Sequence, residues 1–474
     1  MNRNNIWIHV GIAVVLVTMA AVLGQIERWR TALRTTNTEQ FERYEKMDNP
    51  SHCKRGGPPE VLVRFKPGVS LDRIRPIAAA NNDRLTDEIE SVSGLSVIDD
   101  LDNADAKTVA DQYAAMTDVV AYAEPNYQIK LDDPIQKESL NDGVVRYPGG
   151  SHPNDPQFGD QWALNNLGQD GGKERADIDA LKAWIKTRGS SDVVVAVLDS
   201  GVDFTHVDLR ENMWIRPENV PAYTDDELGT FNDINGFNGT DKIADPMDDN
   251  GHGTHCAGII GAEGDNGEGI AGVNWHVKIM PLKFLGRGGF GSTGDAIEAI
   301  NYAIDRKKHG VNVRIISASW GSTSKSKALE DTIRAAGEAG ILFVAAAGND
   351  GSNNDRRPHY PSNYDLPNVI SVAALDRTDN LASFSNFGVK TVHIAAPGKD
   401  ILSTWLNDSY REASGTSMAT PYVSGVAALI IANEPKITME KLRERLLKSV
   451  DKIDSLNGKV ASGGRINAAK ALGN

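Results

Sequence analysis

The sequence predicts an α/β protein in which a doubly wound parallel sheet follows a smaller α+β unit. Two observations carry this. Beyond residue 154, short Val/Ile-rich runs alternate with segments of helical period, the pattern of strands buried on both faces and joined by crossover helices. Ahead of them, residues 60–132 hold strand and helix runs of their own, and a stretch rich in Pro, Gly, Asp and Ser, residues 133–153, separates the two.

Composition sets the outer bounds. With 474 residues, 40% hydrophobic and 24% charged, the chain is long enough for a large core and is neither disordered nor fibrous. Sixty-four acidic against fifty basic side chains leave a net charge of −14, so no field draws phosphates and no nucleic acid partner is expected. The two cysteines, Cys53 and Cys256, are too few for a disulfide framework or a cysteine-rich zinc site.

The elements follow in chain order. Met1 and Arg3 precede an apolar run from Ile6 to Leu23, and charge returns at Glu27 and Arg28, the layout of a secretory h-region. Ala20, Ala21 and Gly24 offer cleavage sites, while the run also reaches the lower edge of spanning length. Residues 1–24 therefore read as a signal peptide or signal anchor. Either way the rest is exported, secreted or held on the outer face of a membrane by residues 6–23, with no other membrane contact. Residues 25–59 are a polar tether ending in Arg55-Gly56-Gly57-Pro58-Pro59. In the unit 60–132, Val61–Phe65, Leu95–Ile98 and Val119–Glu124 read as strands, and Leu71–Asn81 and Ala106–Met116 as helices. Residues 133–153 read as an exposed linker open to proteolysis. From 154 to 474, strands are expected at Val193–Leu198, Lys278–Phe284, Arg314–Ala318, Ile341–Ala346, Val369–Ala373 and His393–Ala395. Helices are expected at Ser292–Lys307, Lys325–Gly340 and Tyr422–Ile431.

Three polar features fall where strands or helices end. Asp199 closes the run Val193–Leu198, and a carboxylate there needs a partner or caps a turn. His252 lies between Gly251 and Gly253, which let other groups approach closely. With His255 it could suggest a metal pair, but the glutamate of a His-Glu-x-x-His zinc site is missing. Ser417, in Gly415-Thr416-Ser417-Met418-Ala419-Thr420-Pro421, stands at a helix start, close to free N–H groups. Each alone reads equally well as a cap or a core residue. Together they supply a nucleophile, a base and an orienting carboxylate. No histidine follows Ser417, so the Ser…Asp…His order of α/β-hydrolases is excluded, and Asp199…His252…Ser417 remains. Two Gly-x-Gly-x-x-Gly matches, at Gly267–Gly272 and Gly286–Gly291, lack a following ribose-binding acid and read as chance hits.

Four blocks, Val197-Leu198-Asp199-Ser200-Gly201-Val202-Asp203, Gly251-His252-Gly253-Thr254-His255, Ala345-Ala346-Ala347-Gly348-Asn349 and Gly415–Pro421, resemble the subtilisin-like serine protease family in content and order. The resemblance covers about Asp155 to Asn474, and residues 60–132 resemble the family's small α+β, ferredoxin-like prodomain, an intramolecular chaperone and inhibitor. It implies an exported, autoprocessed serine endopeptidase acting on proteins or peptides as a monomer, its maturation site within the linker. It also implies Ser417 as nucleophile, His252 as general base, Asp199 as its orienting carboxylate, and Asn349 in the oxyanion hole beside the Ser417 N–H. Substrate is expected to add as a strand between Gly289-Phe290-Gly291 and Ser319-Trp320-Gly321. His359 stands where the family has the floor of its primary specificity pocket, which would favour a polar or acidic side chain there. Asp155, Asp208 and Asn266 match a structural calcium site, and the acidic run Asp245–Asn250 reads as a solvated loop or as the holder of a second ion. Cys256 matches family members with a cysteine at this place, where a buried, inert thiol is expected.

Overall fold

The computed structural model describes residues 59–131, 135–138 and 152–473. The run at Val193–Leu198 lies within an eleven-residue strand, Gly189–Asp199, whose last seven residues are buried. A parallel strand covered on both faces has no use for polar alternation, which is why the run reads as continuous Val, Ala and Leu. In the nine-stranded sheet it belongs to, the order is Phe237–Asn238, His276–Lys283, Gly189–Asp199, Val313–Ala318, Leu342–Ala346, Val369–Leu375, Ile394–Pro397, Gly464–Ile466 and Val450–Lys452. Every pairing is parallel except the last. The chain thus winds outward in both directions from Gly189–Asp199, and the crevice at the carboxyl ends of the central strands is where such sheets hold their ligands.

The helices lie as expected, with ends shifted by a few residues. Thr293–Lys308 starts at a capping box in which Ser292 and Asp295 satisfy each other's backbone, and it carries Arg306, Lys307 and Lys308 in its last turn. The helix Thr416–Asn433 begins well before Tyr422 and buries all of its residues from Thr416 to Ile431. A helix apolar all round belongs inside the protein, and this one packs against the central sheet. No helix among the described residues is long and apolar enough to cross a membrane, and the Ile6–Leu23 run lies outside them.

The first unit is a four-stranded antiparallel sheet in the order Asp83–Glu88, Leu95–Asp100, Glu60–Phe65, Val120–Pro125. With helices Leu71–Ala80 and Ala106–Ala114 packed on one face it has the split βαβ, ferredoxin-like order. The strand Asp83–Glu88 was not expected, because Asp-Arg-Leu-Thr-Asp-Glu carries no apolar run and becomes a strand only through its neighbour Leu95–Asp100. The other face of this sheet, through Leu62, Leu95 and Val97, shares a core with Ile297 and Ala336 of the larger unit. Two helix starts hold it there. Glu124 accepts the N–H groups of Lys327 (2.8 Å) and Ala328 (3.1 Å) at the start of Lys327–Glu338. Asn126 accepts the Gly294 N–H (2.8 Å) at the start of Thr293–Lys308. Both contacts place oxygens on the positive, unsatisfied ends of helices.

Past this docking the chain runs along the larger unit's edges. Gln128–Lys130 pairs antiparallel with Phe290–Ser292, and the Leu131 N–H donates to the Gly289 carbonyl (2.7 Å). Residues 135–138, placed in the linker by the sequence, instead form a strand on Ser409–Ser414. A four-residue run has no period of its own to read, and only the open edge of Ser409–Ser414 makes it a strand.

Candidate active site

Asp199 and His252 come from different elements, the end of the central strand and the first turn of the helix His252–Gly261. That helix approaches closely because Gly253 has no side chain. A Cβ there would lie 2.0 Å from the Gly201 carbonyl oxygen and 3.2 Å from the Asp199 Cβ. Gly251, at φ +104°, turns the chain under Trp405, whose ring would meet a Cβ at 2.4 Å. His252 Nδ1 lies 2.7 Å from Asp199 Oδ1, which also accepts the Ser200 N–H at 2.7 Å. A carboxylate only accepts, so Nδ1 carries the proton and the lone pair of the imidazole sits on Nε2. That Nε2 is buried and has no partner among the described residues. Burial opposes the imidazolium, but the Asp199 carboxylate outweighs it and holds His252 well above the usual 6.5.

Ser417 is the second residue of its helix, so its N–H is one of the unsatisfied first four. Its hydroxyl donates to the Ser319 carbonyl (2.8 Å) and is turned away from His252 Nε2. The structure thus pairs Asp199 with His252 and commits the Ser417 hydroxyl elsewhere, and catalytic hydrogen bonds are often unformed without substrate. Pro421, four residues on, has no N–H to give the Ser417 carbonyl. Ser319 Oγ supplies one instead (2.8 Å), with Cys256 Sγ at 3.5 Å. Asn349 Oδ1 accepts both the N–H (2.8 Å) and the hydroxyl (2.9 Å) of Thr416, which fixes the amide with its Nδ2 facing the same helix start.

The remaining expected residues fall around this centre. Gly289-Phe290-Gly291 is the edge already paired with Gln128–Lys130. Trp320 Nε1 donates to the Leu198 carbonyl (3.0 Å), tying Ser319–Gly321 to the end of the central strand. The buried His359 ring lies against Gly321 and Gly348, where Cβ atoms would meet it at 2.0 and 3.0 Å, and burial pushes it down to about 4. His255 does not join His252. Its Nε2 faces the carbonyls of Ile401 (3.1 Å) and Arg411 (3.0 Å), and burial takes it down to about 3. Cys256 is buried 4.0 Å from His252 Nδ1, and burial pushes its thiol up, the opposite of an activated thiolate.

Away from the centre, Asp155 and Asp208 are buried near each other. Burial pushes Asp155 up to about 7, with the Asp208 charge adding to it. Asp155 Oδ1 has no partner among the described residues, and these hard oxygen donors fit calcium. Asn266 does not present an oxygen, since its Nδ2 donates to Asp208 (2.8 Å) and its Oδ1 accepts the Glu268 N–H. The acidic run Asp245–Asn250 is not a solvated loop at its centre. Asp248 is buried and accepts from Ser200 Oγ (2.9 Å), the N–H groups of Asn250, Gly251 and Thr254, and the Thr254 hydroxyl, which anchors the start of the His252 helix. Sequence reading missed this role, although an Asp four residues before the histidine is where a carboxylate reaches free helix N–H groups.

A buried Asp–His pair and a helix-start serine at the switch point of a doubly wound sheet define a serine hydrolase of the α/β class. The profile of the subtilase family (peptidase S8) matches residues 190–466. The thermophilic serine proteinase of Bacillus sp. (strain AK1) is 34% identical over 421 residues, 87% of this chain and 87% of that one. The cell wall-associated protease of Bacillus subtilis (strain 168) is 37% identical over 309 residues, 64% of this chain and 31% of that longer one. Among solved structures, fervidolysin from Fervidobacterium pennivorans shares the fold at a TM-score of 0.68 and 24% identity, over 89% of this chain and 62% of its own. The chain belongs to the subtilase family and is a subtilisin-like serine endopeptidase.

Gly253→Ala tests the close approach. Alanine would ordinarily favour a helix over glycine. Here the Cβ has no room, so the variant should lose about 1–3 kcal/mol of stability together with activity, read by thermal unfolding and peptide hydrolysis. Parental stability and turnover would show that the helix has freedom to shift.

Proposed function

We propose that this protein is an exported zymogen whose peptidase cuts itself free of residues 60–131 by Asp199, His252 and Ser417. In the first step His252 Nε2 takes the Ser417 hydroxyl proton as Oγ bonds to the scissile carbonyl carbon, and Asp199 stabilises the imidazolium. The resulting oxyanion is met by the Ser417 N–H and the Asn349 Nδ2. The imidazolium returns the proton to the leaving amine, leaving an acyl-enzyme that water hydrolyses with His252 again as base. Proteins and peptides bind as an added strand along Gly289–Gly291 and Ser319–Gly321, with His359, a neutral imidazole at neutral pH, at the end of the primary pocket.

The observation that carries the zymogen is the path of the chain itself. Gln128–Leu131 lies on the substrate edge, and residues 135–138 lie on Ser409–Ser414, three residues short of Ser417. The small unit therefore occupies the cleft as an inhibitor, and the bond cut on maturation falls between Leu131 and Ile135. Asp155 and Asp208, with Asn266 once its amide turns over, hold a calcium ion that ties residues near 155 to the loop at 265–270. The N-terminal apolar run exports the chain, and the enzyme acts as a monomer.

Four outcomes test this reading. Intact mass of the refolded chain from Gln25 onward should show a species beginning between residues 132 and 135, while Ser417→Ala stays whole; two whole chains that both fold would remove self-processing. Asn349→Ala should cut kcat by two to three decades, about 2.7–4 kcal/mol of transition-state stabilisation, and unchanged turnover would refute its oxyanion role. Since the base works only when neutral and Asp199 raises its pKa, kcat/KM should climb with pH through an acid limb above 6.5; a limb below that value would count against the pairing. Chelation should lower the melting temperature, each ion lost removing about 2.7 kcal/mol of stability relative to calcium at a hundred times its Kd, and Asp208→Asn should lessen that dependence; an unmoved melting temperature would remove the ion.

A further inference from the structure

A second cluster of carboxylates lies far in sequence from the catalytic residues, where the small unit meets the large one. Asp87 comes from the strand Asp83–Glu88, Asp225 from the hairpin strand Tyr223–Asp225, and Glu298 from the helix Thr293–Lys308. Each is 1% exposed. One oxygen from each lies within 4.8 Å of the other two.

One oxygen of each is committed. Asp87 Oδ2 accepts from Lys242 (3.1 Å), Asp225 Oδ1 from the N–H groups of Glu227 (3.0 Å) and Leu228 (2.6 Å), and Glu298 Oε1 from the Tyr223 hydroxyl (2.8 Å). The second oxygens, Asp87 Oδ1, Asp225 Oδ2 and Glu298 Oε2, are buried and have no hydrogen-bond partner among the described residues. The committed oxygens fix the three side chains, and what they fix is a set of acceptors with nothing donated to them. Glu90 and Glu227 add two more acids nearby, against the positive charges of Lys242 and of Arg75, which pairs with Glu227 at 3.6 Å. An excess of buried negative charge of this kind is kept only where a cation or protons balance it.

We infer that Asp87, Asp225 and Glu298 form a calcium site that clamps the small unit onto the large one. Calcium takes irregular sets of oxygens at ~2.3–2.6 Å, which suits three carboxylates brought from separate elements to within 4.8 Å of one another, whereas magnesium demands a near-ideal octahedron at ~2.0–2.1 Å. The donors are all hard oxygens, which disfavours zinc and other softer metals. Lys242 does not replace the ion, because its one charge reaches the committed oxygen of Asp87 and leaves the three partnerless ones without a donor. The clamp lasts only while Asp87 stays docked, so loss of residues 60–131 would dismantle it and release its ion. This site shares no residue with the Asp155–Asp208 pair.

The test uses the full chain carrying Ser417→Ala, which stays whole whether or not the enzyme processes itself, so failure of that reading does not confound this one. After chelation and exchange, calcium is counted by equilibrium dialysis and terbium binding is followed by luminescence excited through tyrosine, Tyr223 being in contact with Glu298. Asp87→Asn and Glu298→Gln should each bind one calcium fewer, or bind it at least ten-fold more weakly, while Asp208→Asn loses a different one and the pair of changes loses both. Lys242→Met, which removes the competing charge without touching a partnerless oxygen, should tighten the site. Parental calcium number and affinity in Asp87→Asn and Glu298→Gln would overturn the proposal. So would a melting temperature that both changes raise with no loss of calcium, because the carboxylates would then be balanced by shared protons.

Discussion

The hydrogen bond between Asp199 and His252 joins two groups that are both sealed from water, and much of the surrounding structure exists to make that arrangement tolerable. An isolated buried carboxylate at the end of a strand would cost several kcal/mol. Asp199 avoids this by taking the Ser200 N–H as well as the imidazole. Ser200 in turn gives its hydroxyl to Asp248 and receives the Gly253 N–H, so strand end and helix start are stitched by one small network. Gly251 and Gly253 allow the two backbones to come within that reach. The hydrogen bonds of this network fit one placement of the helix, which is how a histidine at a helix start acquires the precision of a packed core.

The same economy governs the serine. Proline at position 421 removes the N–H that would have tied up the Ser417 carbonyl inside its own helix, and Ser319 and Cys256 close on that carbonyl from the neighbouring strand and helix. The beginning of the helix Thr416–Asn433 is thereby fastened to the strand end after Ala318 and, through Thr416, to Asn349. Two strand ends and a neighbouring helix thus converge on one helix start. Its free N–H groups are the resource shared by all of them, since they are the donors that an oxyanion needs.

Helix starts also hold the small unit in place. Glu124 and Asn126 answer the free N–H groups of two helices of the larger unit, while Leu62, Leu95 and Val97 supply the apolar contact. From there the next residues fall on the open edge at Phe290–Ser292 and pair with it, the edge proposed above for substrate. Docking by helix capping and occupation of the cleft are consecutive consequences of one stretch, Glu124 to Leu131.

The central fold and the candidate residues Asp199, His252 and Ser417 were legible in the sequence for a local reason. A strand buried on both faces must be a continuous apolar run, and a side chain presented at a tight turn must be flanked by glycine, so Val193–Leu198, Gly251–Gly253 and Gly415–Pro421 each announce themselves within a few residues. What depends on a distant partner left no such trace. The strands Asp83–Glu88, Gln128–Lys130 and Ile135–Glu138 exist because another strand's edge is there to be paired. Asp248 reads as one acid in an acidic loop until the helix it caps is placed beside it. Asp87, Asp225 and Glu298 are unremarkable in sequence, and only the docking of one unit on the other brings their oxygens within 4.8 Å. Sequence alone marked the candidate residues for the chemistry, because turns and buried strands are specified by neighbours along the chain; tertiary structure decided which charges meet, because Coulomb forces and desolvation act through space.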